Sequence, residues 1–187
     1  MIQGKILLLL AHPFLHRSRA NRTLLTAVEG IDGLQVVDLY ERYPDFFIDI
    51  PREQQQLREA DLIVFQHPIY WYSAPALLKQ WQECVLQMGF AYGHGEKALA
   101  GKTLMSAVTA GHQDSSYRSD GYDHYTIEEF LRPFEQTARH CGMTYLSPFV
   151  LYDSHKMDEP AMTQQAGEYR ALLLERLEQI VGEKGDG

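Results

Sequence analysis

Three short segments concentrate the side chains that could bind or react. The first, Ala11-His12-Pro13-Phe14-Leu15-His16-Arg17-Ser18-Arg19-Ala20-Asn21, joins an apolar run to a helical pattern. Ser18 suits the N-cap of that helix, the unpaired N–H groups behind it suit an anion, and Arg17 and Arg19 add positive charge, which together fit one phosphate. An ordinary Ser-capped helix with solvated arginines has the same sequence, so the segment alone leaves both readings open. The second segment, residues 66–75, sets Tyr70, Trp71 and Tyr72 in a row between Pro68 and Pro75. Core aromatics alternate or keep helical spacing and these do neither; proline-fixed backbone beside adjacent rings favours a flat heterocycle held at its edge and face over mere packing. The third begins Thr109-Ala110-Gly111-His112 and runs past Tyr117 to His124-Tyr125, long and polar for a compact domain. Gly111 admits close backbone approach, and His112 offers an N–H to a ligand that gains negative charge. A solvated loop histidine is the plainer alternative.

Other chemistry is disfavoured. The chain has eight histidines, but a metal site needs three or four converging ligands. His12 and His16 lie four apart in a loop, where that spacing gives no common face, so no metal is expected. Residues 95–103 almost spell a triphosphate-binding loop, yet they have one residue too many between the glycines and precede a strand instead of following one; they read as a turn. Cys84 and Cys141 lack activating neighbours and read as packing residues of a reducing compartment.

Five apolar runs, residues 6–11, 34–39, 62–66, 103–109 and 144–152, are short enough for strands, and several are apolar almost throughout, as in a parallel sheet covered on both faces. Helical patterns lie between and after them, at residues 19–29, 51–60, 75–88, 127–141 and 161–181. Five alternations of strand and helix predict a doubly wound α/β domain over residues 1–182, with the glycine-rich 183–187 as a frayed tail. In such sheets ligands bind beyond the carboxyl ends of the strands, and all three segments follow a strand. The 187 residues are 45% hydrophobic and 22% charged, which is ordinary globular usage. A net charge of −8, from 17 basic and 25 acidic residues, argues against nucleic acid. The longest early apolar run is far short of the roughly 20 residues that span a bilayer, so a cytoplasmic protein is expected.

In this order the loops resemble those of the flavodoxin-like NAD(P)H:quinone oxidoreductase family. More narrowly, the chain resembles the ancillary subunits, of KefF/KefG type, of bacterial glutathione-regulated potassium-efflux systems. The resemblance covers residues 5–152 and is carried most specifically by Leu39-Tyr40-Glu41-Arg42-Tyr43-Pro44-Asp45-Phe46-Phe47-Ile48-Asp49-Ile50, by Glu53-Gln54, by Asp61-Leu62-Ile63-Val64-Phe65-Gln66-His67-Pro68 and by Ala91-Tyr92-Gly93.

The resemblance implies a flavodoxin-like sheet of five parallel strands in the order 2-1-3-4-5 with helices on both faces. It also implies an FMN site. There His12, Ser18, Arg19, Ala20 and Asn21 would hold the phosphate and ribityl chain, Pro68, Ile69, Tyr70, Trp71 and Tyr72 would line the isoalloxazine, and Thr109, Ala110, Gly111 and His112 would surround its pyrimidine end. The family often has Thr-Thr-Gly-Gly at the last four positions, so Ala110 removes a hydroxyl and His112 adds bulk. Tyr117 matches by spacing a tyrosine that assists hydride transfer, and His124 stands near the place of the family's histidine. FAD is the competing cofactor, carried by larger members with a C-terminal extension; the length here favours FMN. The implied activity is two-electron, ping-pong transfer from NAD(P)H to a quinone by a homodimer. The implied setting is beside a potassium-efflux transporter, peripheral to the inner membrane. The alternative is a regulatory subunit of that transporter with secondary or residual redox activity. The apolar and aromatic load of Tyr43-Pro44-Asp45-Phe46-Phe47-Ile48 points to the dimer contact.

Overall fold

A computed structural model describes residues 4–185. Its sheet contains β1 (Ile6–Leu10), β2 (Leu34–Asp38), β3 (Leu62–Pro68), β4 (Thr103–Thr109), β5 (Thr144–Tyr145) and β6 (Phe149–Leu151). All pairings are parallel and the order is β2-β1-β3-β4-β5, with β6 also beside β4. This is the expected 2-1-3-4-5 order, with one difference. The fifth strand is broken in two, because Pro148 has no N–H to give the ladder; pairing with β4 resumes at Phe149. The break has a consequence for the site: β6 ends with Leu151 opposite Thr109, so the following loop emerges at the same edge as the loops after β1, β3 and β4.

The helices are α1 (Arg19–Val28), α2 (Leu39–Arg42), α3 (Ile50–Glu59), α4 (Ala76–Val85), α5 (Ile127–His140) and α6 (Glu159–Gly185). The single turn of α2 was not visible as a periodic pattern; it forms because Asp38 caps it, accepting from the N–H groups of Tyr40 and Glu41. Thr126 and Glu129 cap α5 reciprocally, a full capping box. Helix α6 continues through the expected tail as far as Gly185, where Lys184 pairs with Asp61 at 2.7 Å; Asp186 and Gly187 lie outside the described residues. Among the described residues no helix is long and apolar enough to cross a membrane.

Strand β1 is buried at every position, and its side chains divide between two cores. Leu7 and Leu9 join Trp81 of α4 and Leu131 of α5, while Ile6, Leu8 and Leu10 join Leu24 of α1 and Tyr169 of α6. Alternation along a pleated strand causes this division, and it explains why the run carries no polar residue. Truncating Leu8, wholly buried, to alanine should cost about 2–5 kcal/mol.

One buried charge organises the face under α3 and α4. The Glu53 carboxylate accepts from Arg42 Nη1 at 2.8 Å, Tyr43 Oη at 2.7 Å and Trp81 Nε1 at 2.8 Å. Three donors compensate its lost hydration. Burial, then the adjacent Glu53, pushes the Tyr43 phenol up to about 12. The network anchors the stretch between α2 and α3, which ends in an exposed tip: Phe46 has φ +63° and Phe47 is 84% exposed.

Candidate functional site

The ends of β1, β3, β4 and β6 surround a cavity of about 520 Å³, within the usual range of about 300–1,000 Å³ for small-molecule sites. At one end stands the N-terminus of α1. Ser18 caps it, its Oγ accepting from the Asn21 N–H at 3.3 Å. The N–H groups of Arg19 and Ala20 belong to the first turn, where a helix has no internal acceptors for its donors. Arg17, Ser18, Arg19 and Ala20 all line the cavity, and the Arg19 guanidinium donates to the Met157 carbonyl.

Asn21 is buried behind this end and does not line it. Its amide nitrogen donates to Thr109 Oγ1 at 3.0 Å, tying α1 to the end of β4, and its Oδ1 has no partner among the described residues.

His12 also borders the cavity. Its Nδ1 accepts from the Phe14 N–H at 3.0 Å, so the neutral ring carries its proton on Nε2, which lies 3.5 Å from the Tyr70 hydroxyl. Burial lowers the pKa of this imidazole, and the neutral form prevails at pH 7.

The aromatic row separates into three fates. Tyr70 and Ser73 exchange two backbone hydrogen bonds of 3.0 Å, closing a two-residue turn on Trp71 and Tyr72, whose φ angles are +48° and +61°. Such turns normally use Asn and Gly, and a left-handed aromatic costs on the order of 1–3 kcal/mol. Pro68, Ile69 and Tyr70 line the cavity as an apolar slab. Trp71 projects away, 91% exposed, and Tyr72 leans on Phe130 of α5 with ring centroids 5.1 Å apart.

The third segment also divides. Thr109 and Gly111 line the cavity, whereas Ala110 is buried in the core, its N–H bonded to the Leu151 carbonyl at 2.9 Å. The His112 N–H, expected to face a ligand, donates instead to Tyr117 Oη at 3.4 Å, and the His112 ring pairs with Asp123. Tyr117 is buried beside Tyr152 and Phe130, and that burial holds its phenol above the ordinary value and therefore protonated at neutral pH. His124 adopts φ +60° and is exposed, while its neighbour Asp123 takes the buried place.

Phe14, Ser154 and His155 line the cavity without having been singled out from sequence. The rule that found the other loops would have found Ser154 and His155: they follow the last strand at the same edge. Among the described residues no group of three or more His, Cys, Asp or Glu side chains is placed so as to hold a metal ion.

The cavity thus brings together the anion-suited groups of the α1 N-terminus, the Thr109 hydroxyl with the Gly111 backbone, and an apolar slab with a tyrosine. A phosphate-bearing planar heterocycle of mononucleotide size matches this set of groups.

Residues 4–173 match the flavodoxin-like fold family. The glutathione-regulated potassium-efflux system ancillary protein KefG of Enterobacter sp. (strain 638) is 48% identical over 170 residues, 91% of this chain and 93% of that protein. KefG of Serratia proteamaculans (strain 568) is 50% identical, covering 88% of this chain and 90% of that protein. Among solved structures, a chain from that of a thermophilic tryptophan halogenase of Streptomycin violaceusniger aligns with 43% identity and TM-score 0.86, over 88% of this chain and 95% of that one. General stress protein 14 of Treponema denticola, in complex with FMN, aligns with 37% identity and TM-score 0.83, over 95% and 99%. An NADPH-quinone reductase from P. pentosaceus aligns with 32% identity and TM-score 0.82, over 89% and 95%. The chain belongs to the flavodoxin-like fold family.

Proposed function

We propose that this protein is an FMN-dependent NAD(P)H:quinone oxidoreductase, active as a homodimer in the cytoplasm and serving as ancillary subunit to a potassium-efflux transporter. The observation that carries the proposal is the cavity itself, with a phosphate-suited helix end and an apolar slab joined across β1, β3 and β4. Its support from relatives is the FMN complex of the T. denticola protein and the reductase of P. pentosaceus.

FMN, when bound, supplies the centre that takes a hydride from NAD(P)H and returns it to a quinone. The N–H groups of Arg19 and Ala20, with the Arg17 and Arg19 guanidinium groups, would bind its phosphate. Asn21 would act from behind by holding Thr109 against α1. Neutral His12 would sit beside the ribityl chain without adding charge. Pro68, Ile69 and Tyr70 would pack on the ring, and the buried hydroxyl of Tyr117 would stand protonated near Gly111 to donate a hydrogen bond where negative charge grows. His124, exposed, has the lesser claim to a proton role. Exposed Trp71, Phe46, Phe47 and Met88 support a dimer whose second chain covers them.

The KefG relatives favour a second reading, in which binding to the transporter is the physiological task and redox turnover is secondary. Anaerobic stopped-flow absorbance distinguishes the two. The reductase reading expects NADH or NADPH to bleach the bound flavin and a benzoquinone to restore its colour; a flavin-loaded protein inert to both nucleotides would contradict it.

A further inference from the structure

The loop between β4 and α5 is closed by two side chains eleven positions apart. His112 Nδ1 lies 2.8 Å from Asp123 Oδ2; the carboxylate is 1% exposed and the imidazole 51%. A carboxylate buried to this degree requires a donor, and His112 provides one. The left-handed turn at His124 and a bond from the Asp123 N–H to the Ser116 carbonyl, 2.9 Å, direct Asp123 inward. Tyr122 packs edge-on against the imidazole, with centroids 5.2 Å apart. Neither the imidazole nor Tyr117 lines the cavity, but the Tyr117 hydroxyl stands behind Gly111, which does. The His112 backbone holds that hydroxyl, because the His112 N–H donates to Tyr117 Oη at 3.4 Å. A phenol oxygen that accepts from a fixed amide keeps its own proton to donate elsewhere.

We propose that His112 and Asp123 form a latch that positions Tyr117. By fixing the His112 backbone, the pair commits the Tyr117 oxygen to accepting from the backbone of that turn and leaves its proton free for the Gly111 edge of the cavity. The proposal rests on the reading of that cavity as the flavin site. His112 and Asp123 are positioning residues, and the imidazole itself transfers no proton.

The test uses His112→Ala, Asp123→Ala and His112→Asn, the last because an asparagine amide can place its nitrogen close to the position of Nδ1. Hydrogen exchange on the flavin-free protein reads the latch without turnover: both alanine variants should lose amide protection across residues 112–124, and His112→Asn should regain much of it. In flavin-loaded protein, the alanine variants should slow quinone-dependent reoxidation by about 10-fold or more, with partial recovery in His112→Asn. In a Tyr117→Phe background the His112→Ala change should add no further loss. Wild-type loop protection in both alanine variants would overturn the latch. Restored protection in His112→Asn without recovery of rate, or losses that multiply with Tyr117→Phe, would overturn the positioning role and assign a direct part to the imidazole. A protein that takes up no flavin would remove the cavity reading on which the positioning role depends, while the exchange data would still report whether the latch exists.

Discussion

Asn21 in α1 and Thr109 at the end of β4 share a buried side-chain hydrogen bond of 3.0 Å, across 88 positions of sequence. The bond ties the helix end that suits a phosphate to a strand end that also lines the cavity. It makes cavity shape depend on a residue that does not line the cavity.

Asn21→Ala should therefore lower stability by about 1–2 kcal/mol, the value of a buried hydrogen bond with one partner left unpaired. FMN affinity should fall as well. Denaturant midpoints and fluorescence titration with FMN measure the two effects, and unchanged affinity in a destabilised variant would separate Asn21 from the site.

The aromatic row should respond unequally. Tyr70→Ala should weaken FMN retention by about 1–3 kcal/mol through lost packing surface. Trp71→Ala, at a position 91% exposed, should leave the stability of the isolated chain within about 0.5 kcal/mol of wild type. A large loss of chain stability in Trp71→Ala, or full FMN affinity in Tyr70→Ala, would show that the turn is misassigned.

Much of this architecture was legible because its causes are local. The apolar run of β1 announces burial on both faces, and Ser18 announces a helix start. Pro148 breaks the fifth strand for a reason visible in the sequence, though an apolar pattern spanning residues 144–152 concealed it. The site was harder to read where side chains depend on turn geometry. Tyr70, Trp71 and Tyr72 look equivalent in sequence, and two left-handed residues send them to three environments. A left-handed His124 likewise exposes the histidine and buries Asp123, an exchange that spacing cannot reveal. Ala110 looks like a missing hydroxyl at a ligand; the bond from its N–H to the Leu151 carbonyl sets it in the core.

The tip between α2 and α3 should mediate assembly. Phe47 is 84% exposed on a loop whose start is anchored through Arg42 and Tyr43 to Glu53, which lowers the ordering entropy that opposes its burial by a second chain. Light scattering should give twice the 21.5 kDa chain mass for wild type and a shift toward monomer for the Phe46→Asp, Phe47→Asp double variant. A double variant that stays fully dimeric would clear this loop as the contact.

Stability should fall with acid through His67. This wholly buried imidazole donates from Nδ1 to the Pro68 carbonyl at 2.9 Å, leaves Nε2 unpaired, and is lowered to about 4 by burial. Between that value and 6.5, the unfolded chain binds a proton that the folded chain excludes. Its stabilising contribution is therefore full above pH 6.5 and declines as pH falls toward 4. By pH 5 the decline should be on the order of 2 kcal/mol. Urea unfolding at pH 7 and pH 5 should show a larger acid loss in wild type than in His67→Gln; parallel losses would contradict the assignment.

The central claim is tested most directly by the flavin content of the purified protein. Denaturation of protein saturated with FMN and then freed of excess should release FMN, identified by chromatography, at one per chain, and the native protein should show a bound-flavin absorbance band near 450 nm that Tyr70→Ala diminishes. A folded protein that retains neither FMN nor FAD after such loading would contradict the account.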